Sequence, residues 1–247
     1  MFIENLYEMA TPRISVCIAT YNGEIFIRRQ LLSILSQLRD CDEIIISDDQ
    51  SKDNTLGVIR EIKDNRIRIV ENQYEKGYVS NFENSLSYAK GDIIFLSDQD
   101  DIWHPDKVRI CMQYLQLYDF IVSDAVIIGK NDERLYESFY DLRHSPKSYW
   151  GNLLKFGFLG CCMAFKYSVL EKALPFPSNH KMCTHDNWLF LIGATFFHYK
   201  VLDEKLIFYR RHNNNVSSGG LKSTTTCFFK IRYRFYLLIH ILKRKFR

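Results

Sequence analysis

The sequence predicts an α/β domain with a mostly parallel central sheet and helices on both of its faces. Apolar, β-branched runs typical of buried strands alternate with segments that carry apolar residues at helical spacing. Three of the apolar runs end abruptly in polar clusters. The chain has 247 residues and is 47% hydrophobic, which suits one large domain with a sizeable core.

The first half of the chain shows the alternation clearly. Strands are predicted at residues 14–19, 43–47, 67–70 and 92–96. Helices are predicted between them at residues 24–38, 55–64 and 78–89. Each strand is followed by a helix, so right-handed crossovers should join parallel neighbours.

The second half is less regular. Helices are predicted from Pro105 to about residue 117 and over residues 186–197, and strands at residues 120–122 and 200–209. Residues 130–147 show no clear period. We predict a catalytic-type α/β domain over residues 1–217 and a basic, aromatic tail with helical character over residues 218–247.

Polar residues follow three of the predicted strands, in residues 20–23, 48–53 and 98–101. Parallel strands place their carboxyl ends at one edge of a sheet, and ligands of open α/β sheets bind at that edge. Their convergence predicts one binding site.

Residues 97–103 read Ser-Asp-Gln-Asp-Asp-Ile-Trp, directly after a buried strand. Three carboxylates this close repel one another unless a cation lies among them. Oxygen ligands favour Mg²⁺ or Mn²⁺, which commonly meets a substrate phosphate. The alternative is a solvated acidic turn that caps the following helix.

The chain resembles the family 2 glycosyltransferases, because it carries five segments typical of the family in the family's order. They are Ser15–Gly23, the Asp48–Asp53 turn, residues 97–103, His185–Trp188 and Tyr209–His212. The resemblance implies a GT-A fold and an inverting, metal-dependent hexosyl transfer. The form of residues 97–103 is similar to members that build bacterial surface polysaccharides, including glucosyl- and rhamnosyltransferases. Many relatives have the acidic motif directly after two apolar residues, and Ser97 intervenes here. Whether Asp98 or Asp100 is the main metal ligand is therefore open.

A nucleotide-sugar transferase must hold a base, a diphosphate and a sugar. Thr20, Tyr21 and Asn22 can contact the nucleotide, with the Tyr21 ring stacking on a pyrimidine, or they simply end the strand. Asp48 or Asp49 can accept a hydrogen bond from a pyrimidine N3–H, or else form an Asx turn.

The resemblance implies further roles. It places Asp98 against ribose or metal, Asp100 on the metal, and His212 as a further metal or phosphate ligand. The remaining expected substrate contacts are Asp101, Trp103, Gly160, Arg210 and Arg211; the two arginines would meet the diphosphate or else only cover the sheet.

Asp186 is the expected catalytic base. It stands at the start of an apolar, aromatic helix late in the chain, where the family's base lies. A base in this position suits a single displacement, which inverts the anomeric carbon. The alternative role for Asp186 is a helix N-cap.

Charge is unevenly distributed along the chain. No Asp or Glu follows Glu204, and the apolar stretch of residues 235–242 is flanked by Lys and Arg. The tail is expected either to lie on an anionic membrane surface or to pack on the domain. It lacks nucleic-acid-binding motifs, and the acidic site would repel a polyanion, so no nucleic-acid partner is expected.

The sequence therefore predicts a cytoplasmic enzyme, peripheral at the inner face of the cell membrane. The expected donor is a UDP-sugar, or else dTDP-rhamnose, and the expected acceptor is a lipid-linked saccharide of O-antigen or capsule synthesis. The alternative is a sugar-nucleotide-binding module without turnover. No signal peptide and no membrane-spanning run are visible, and the seven cysteines form no CxxC pair, as expected of a reduced protein.

Overall fold

The structure is a computed structural model that describes residues 11–212 and 226–246. Its strands are β1 (Ile14–Thr20), β2 (Glu43–Asp48), β3 (Ile67–Glu71), β4 (Ile93–Ser97), β5 (Ile102–Trp103), β6 (Phe120–Ile128), β7 (Arg134–Tyr136), β8 (Met163–Lys166) and β9 (Tyr199–Arg210). Its helices are α1 (Ile27–Leu35), α2 (Thr55–Arg60), α3 (Tyr78–Ser87), α4 (Lys107–Leu115), α5 (Phe139–Arg143), α6 (Tyr149–Leu154), α7 (Tyr167–Ala173), α8 (His185–Phe196) and α9 (Cys227–Lys245).

The strands form one sheet in the order β3-β2-β1-β4-β8-β6-β9-β5, with β7 paired to β6. The first four strands of this order are all parallel, as their alternation with helices predicts. The other half is mixed, because β8 runs antiparallel to both β4 and β6, whereas β9 is parallel to β6. The predicted α/β class is confirmed.

The register brings the predicted polar clusters to one edge. Thr20 is opposite Asp48, and Ile18 is opposite Ser97, so β1, β2 and β4 end within two residues of one another. Two antiparallel steps through β8 turn β6 back to the direction of β4, and β9 runs parallel to β6. The carboxyl end of β9, which leads to His212, therefore lies at this same edge.

The predicted strands are buried as their composition requires. Every residue of β2, β4 and β6 is buried, and the apolar side chains of β1 are at most 2% exposed except for the half-buried Ala19. A sheet buried on both faces needs apolar residues at successive positions rather than at alternate ones.

Residues 130–147, which show no period in the sequence, contain β7 and the short helix α5. β6 continues to Ile128, well beyond the predicted strand at residues 120–122, because β9 pairs with its second half. Pairing with a distant strand has no local signature, which explains the short prediction.

The C-terminal helix α9 packs on the domain. Its Leu237 and Ile241 are 1% and 4% exposed and belong to the same apolar core as the sheet. The described part of the expected tail is thus a packed helix, and the expected boundary at residue 217 lies outside the described residues. Among residues 11–212 and 226–246, no helix combines the length and apolarity needed to cross a bilayer.

The buried side chain of Arg244 fixes the end of α9. Its guanidinium donates to the carbonyl oxygens of Leu174 (2.9 Å), Ala173 (3.2 Å) and Pro175, where α7 ends. The guanidinium carbon also lies 5.6 Å from the ring centroid of Trp188 in α8. One side chain thus joins three helices.

We expect Arg244→Met to lower the free energy of unfolding by about 2–4 kcal/mol, because it leaves buried carbonyl groups without their donor. Lys245→Met is the matched control, since Lys245 is exposed. Urea unfolding followed by circular dichroism measures both variants. An equal loss in the two variants would show that Arg244 does not join the helices energetically.

Candidate functional site

The turn after β1 is held by Gln99. The Gln99 Oε1 atom accepts hydrogen bonds from the Thr20 hydroxyl (2.6 Å) and the Tyr21 amide (2.9 Å), and its Nε2 donates to the Tyr21 carbonyl (3.0 Å). The Tyr21 ring stays 46% exposed at the sheet edge. The Lys76 Nζ atom lies 5.8 Å from its centroid. The ring is therefore partly accessible to a ligand, with a cation over one of its faces.

The second polar cluster is largely satisfied by the protein. The Asp48 carboxylate accepts from the Ser51 amide (2.9 Å) and hydroxyl (2.5 Å), which is the Asx-type turn that was the alternative interpretation. The Asp49 carboxylate accepts from the Asn72 side chain (2.8 Å) and the Gly77 amide (3.0 Å). The two residues are 4% and 8% exposed, so their contribution to this geometry is to shape the loops.

Asn22 joins the first two clusters. Its side-chain oxygen accepts from the Lys52 amide (2.7 Å), and its own amide donates to the Ser51 hydroxyl (3.0 Å). Asn22 has a φ of 50°, a left-handed conformation that Asn tolerates better than most residues. Its side chain therefore orients the edge of the site from within the protein.

Asp98, Asp101 and the thiol of Cys161 form a close cluster. One ligand atom from each lies within 4.8 Å of the others. Burial, and next the charge of Asp100, raise the pKa of Asp98 to about 7, with a smaller effect from Asp186; a hydrogen bond from Cys161 acts in the opposite direction. Burial and the charges of Asp100 and Asp98 raise the pKa of Asp101 well above its ordinary value.

Asp100 and His212 are in direct contact. The His212 Nε2 atom lies 2.8 Å from the Asp100 Oδ2 atom, although the two residues are 112 positions apart along the chain. The His212 ring stacks on Phe26, with 5.0 Å between centroids. The structure thus brings together two of the three predicted metal ligands.

Arg210 is buried and bonded within the protein. It is 2% exposed, and its guanidinium donates to the carbonyl oxygens of Asp100 (2.8 Å), Gly129 (3.0 Å) and Lys130 (3.0 Å). It also forms an ion pair with Asp132 at 2.6 Å. These contacts give Arg210 a role in holding the acidic loop, and its expected contact with the diphosphate stays a prediction.

Of three other expected substrate contacts, two are buried and one is half-buried. Trp103 is 1% exposed and packs against Phe95, with 5.4 Å between ring centroids, so its ring is part of the core. Gly160 is buried, and a Cβ there would lie 2.7 Å from the His185 Nε2 atom, so the absence of a side chain lets His185 approach closely. Arg211 is half-buried, with its amide donating to the Ile128 carbonyl (2.8 Å).

Asp186 lies in the first turn of α8 and is half-buried. It is close enough to Asp98 for its charge to raise the pKa of that carboxyl group. Its charge also contributes, after burial, to the raised pKa of Tyr78, about 12. Thr184 and not Asp186 is the residue at the N-cap position. The expected base and the acidic cluster therefore share one site.

Helix α9 reaches the residues beside Asp186. The Tyr233 hydroxyl accepts from the Asn187 side chain (3.0 Å) and lies 3.5 Å from the Thr184 hydroxyl. Thr184 and Asn187 flank His185 and Asp186 in sequence. The position of the expected base is thus fixed partly by the C-terminal helix.

Sequence reasoning missed four residues of this site: Gln99, Phe26, Cys161 and Tyr233. Only Gln99 had a local signal, because it lies between two of the acidic residues after β4. Phe26 contacts both His212 and Arg210, with its ring centroid 4.9 Å from the Arg210 guanidinium carbon. These contacts cross between distant segments, and nothing in the local sequence marks them.

The donor set fits a hard divalent cation. Several carboxylates converge at the edge, an imidazole adjoins one of them, and the buried Asp101 Oδ2 atom has no hydrogen-bond partner among the described residues. A buried carboxylate oxygen without a partner is costly, and a cation nearby would offset that cost. Asp98, Asp100 and His212 could hold it, together with Asp101, which has a ligand atom within 4.8 Å of one from Asp98.

Comparison with known proteins identifies relatives. The family model described as Glycosyl transferase family 2 matches residues 15–174. The chain is 31% identical over 171 residues to the UDP-Glc:alpha-D-GlcNAc-diphosphoundecaprenol beta-1,3-glucosyltransferase WfgD of Escherichia coli, covering 68% of this chain and 65% of that protein. It is 31% identical over 195 residues to the dTDP-rhamnosyl transferase RfbG of Shigella flexneri, covering 72% and 65%. The chain thus spans just under two thirds of the length of both relatives.

Solved structures with the same fold include S. aureus TarS 1-349 in complex with UDP-GlcNAc. It has a TM-score of 0.67 and 16% sequence identity and covers 95% of this chain and 72% of that one. The mannosyltransferase PcManGT from Pyrobaculum calidifontis, in complex with GDP-Man and Mn2+, has a TM-score of 0.56 and 22% identity, covering 78% and 55%. These similarities confirm the GT-A architecture expected from the sequence.

We expect Gln99→Ala to release the turn after β1, because three hydrogen bonds are lost from a single side chain. The Tyr21 amide, which donates to Gln99, should exchange its proton with solvent at least about tenfold faster in amide hydrogen exchange. The Asp49 amide, which donates to the Thr20 backbone carbonyl, is the internal control and should stay protected. Unchanged exchange at Tyr21 would show that the turn does not depend on Gln99.

Proposed function

Because this chain belongs to glycosyl transferase family 2, we propose that it transfers a hexose, with inversion, from a nucleotide diphosphate sugar to a lipid-linked saccharide of a bacterial surface polysaccharide. The observation that carries the proposal is the meeting of Asp98, Asp100, His212 and Asp186 at one sheet edge, from three distant segments. A transferase needs a phosphate-binding centre beside a base, and this edge offers the groups for both.

The donor is proposed to bind with its base on the exposed Tyr21 ring. The ring lies at the end of β1, and the bonds from Gln99 hold its backbone still. A flat, open aromatic face suits a pyrimidine. A uridine diphosphate sugar is favoured, because the E. coli relative is named for UDP-Glc and the TarS structure is a complex with UDP-GlcNAc; the Shigella relative, a dTDP-rhamnosyl transferase, keeps a dTDP-sugar as the second candidate.

Mn²⁺ or Mg²⁺ is the proposed cofactor, held by Asp98, Asp100 and His212. The direct contact of His212 with Asp100 supports this assignment, as do the pKa of Asp98, raised by burial and by the charge of Asp100, and the Mn2+ of the PcManGT complex with GDP-Man. Such an ion supplies Lewis-acid stabilisation of the leaving diphosphate. The chain's own contribution is to hold the carboxylates together, which the Arg210 guanidinium does through the Asp100 carbonyl.

Asp186 is the proposed general base. It takes the proton of the acceptor hydroxyl while that oxygen forms a bond to the anomeric carbon of the donor sugar. The bond from that carbon to the diphosphate oxygen breaks, and its electron pair leaves with the nucleotide diphosphate. Attack opposite the leaving group inverts the anomeric configuration. The first turn of α8, tied to Tyr233 through Asn187, fixes the backbone of the base.

The acceptor is proposed to be lipid-linked and the protein to work peripherally at the inner face of the cell membrane. The diphosphoundecaprenol acceptor in the name of the E. coli relative supports this. The competing function is a sugar-nucleotide-binding module without turnover. A transfer assay with labelled donor and a synthetic lipid-linked acceptor separates the two, because only the enzyme forms product.

We expect Asp186→Asn to lower turnover by about 10²–10⁴-fold, the usual contribution of a general base, because the amide cannot take the proton. Donor affinity should stay within about twofold, because no contact to the donor is assigned to Asp186. Asp141→Asn, which changes an exposed carboxylate of α5, is the control and should keep full turnover. If donor affinity collapses while turnover at saturation survives, Asp186 is a binding residue.

We expect Asp100→Asn to remove the Mn²⁺-dependent part of nucleotide affinity, because one anionic ligand is lost at constant size. Stability should change by no more than about 1 kcal/mol, since the loss of the His212 contact is offset by relief of repulsion from Asp98 and Asp101. Calorimetric titration of the nucleotide with and without Mn²⁺ measures the effect. Asp106→Asn, at a partly exposed carboxylate, is the control. Full activity of the wild-type protein in EDTA would refute the metal assignment.

A further inference from the structure

Helix α9 carries an unbroken apolar stripe on its outer side. The residues of this stripe follow a spacing of three and four and are exposed as follows: Phe228 (68%), Ile231 (60%), Phe235 (66%), Ile239 (36%), Leu242 (60%) and Phe246 (87%). At about 3.6 residues per turn this spacing keeps all six on one face. The stripe runs the length of the helix, whereas singly scattered exposed apolar side chains are ordinary.

The opposite side of α9 is firmly attached to the domain. Leu237 and Ile241 are buried in the core, Arg244 bonds the end of α7, and Tyr233 bonds the start of α8. Rotating the helix to hide the stripe would break all of these contacts. The domain therefore presents the stripe outward as a fixed surface.

Positive charge flanks the stripe on both sides. On the helical projection, Arg232 and Lys243 lie on one side and Lys245 on the other, and all three are exposed. The chain has no acidic residue after Glu204, so none lies on this helix to neutralise them. An apolar face with basic margins matches an anionic lipid surface in both its hydrophobic and its electrostatic parts.

Helix α6 adds a second exposed apolar patch. Trp150 and Leu154, one turn apart, are 69% and 64% exposed. The Arg234 side chain of α9 donates to the Leu153 carbonyl (3.1 Å) and the Leu154 carbonyl, so the end of α6 is bonded to the middle of α9. Trp is a residue that membrane interfaces favour.

We propose that the outer face of α9 is a membrane-docking surface, which lies parallel to an anionic bilayer with Phe235 and Leu242 inserted and the flanking basic residues at the lipid headgroups. This proposal rests on the proposed function in one respect, namely that the protein acts at a membrane. A second copy of the chain is the less favoured occupant, because pairing two such stripes would bring basic margins together.

The orientation has a consequence for the transferase site. The inner face of the same helix holds Thr184 and Asn187 beside Asp186. Docking by the outer face would therefore place the base at a fixed distance from the bilayer, as a lipid-linked acceptor requires. One helix would serve both the position of the base and the attachment of the protein.

The test is co-sedimentation of the full chain with vesicles of phosphatidylcholine, with and without phosphatidylglycerol, at low and high salt. Wild-type protein should bind the anionic vesicles and be released by salt. The double variant Phe235→Ser/Leu242→Ser should bind about 10²-fold more weakly, because two large apolar side chains no longer leave water. Leu117→Ser, at a side chain that is 76% exposed outside α9, is the matched control and should bind as wild type.

A fluorescent reporter tests the orientation. Trp103 and Trp188 are 1% and 0% exposed and should not respond to lipid. The variant Trp150→Phe/Phe235→Trp removes the exposed Trp150 and places a tryptophan at position 235, at the centre of the stripe. Among the described residues this is then the only exposed tryptophan. Its emission should shift to shorter wavelength on anionic vesicles. Binding without such a shift would overturn the proposed orientation.

Three further results would overturn the proposal. They are undiminished binding of the double variant, equal loss in Leu117→Ser, and a wild-type dimer that the double variant converts to monomer. Transfer to a soluble acceptor is measured in parallel and should be the same in wild type and the double variant. Absence of transfer by the wild-type protein, with its vesicle binding intact, would count against the proposed transferase function instead and leave the docking surface standing. Unfolding by urea confirms that the variants, all at exposed positions, are folded.

Discussion

The candidate site depends on one buried cation, the guanidinium of Arg210. The guanidinium donates to the Asp100 carbonyl and to the Gly129 and Lys130 carbonyls. The backbone amide of Arg210 donates to the Asp101 carboxylate. These segments belong to the ends of β4, β6 and β9. Because a planar guanidinium presents five donors in fixed directions, it fixes the relative positions of all three.

This constraint explains how acidic side chains can be crowded at the sheet edge. Arg210 bonds the backbone carbonyl of Asp100 and one carboxylate oxygen of Asp101, and so holds the acidic side chains of this loop close together. Burial and mutual repulsion then raise the pKa of Asp98 and Asp101. A bound cation relieves such repulsion. The acidic cluster therefore makes the protein without a cation less stable and strengthens the binding of a cation.

The two faces of the C-terminal helix α9 have different surroundings. Its inner face contributes Leu237 and Ile241 to the core and Tyr233 to the surroundings of the base. Its outer face keeps six apolar side chains exposed. The sequence left two alternatives for the tail, packing on the domain and lying on a membrane. The two are compatible, because they use opposite faces of one helix.

The sequence by itself determined the parallel half of the sheet and the convergence of the polar clusters. Strand periodicity and crossover handedness are local or nearly local properties, so residues 14–97 could be assigned to elements with few errors. The acidic run at residues 98–101 and the late Asp186 were also visible, because their residue types stand next to apolar segments.

Only the tertiary structure decided which groups these side chains contact. It buries Arg210 against the acidic loop and Trp103 in the core, and it gives the carboxylates of Asp48 and Asp49 hydrogen-bond partners within the protein. It also brought His212 to Asp100 and Gln99 to Tyr21. The physical reason is that the contacts of a side chain depend on which groups lie near it in space. Strand β9 carries Arg210 and leads to His212, and it pairs with β6, which lies far earlier in the chain. These two residues therefore reach the acidic loop only once the sheet has formed.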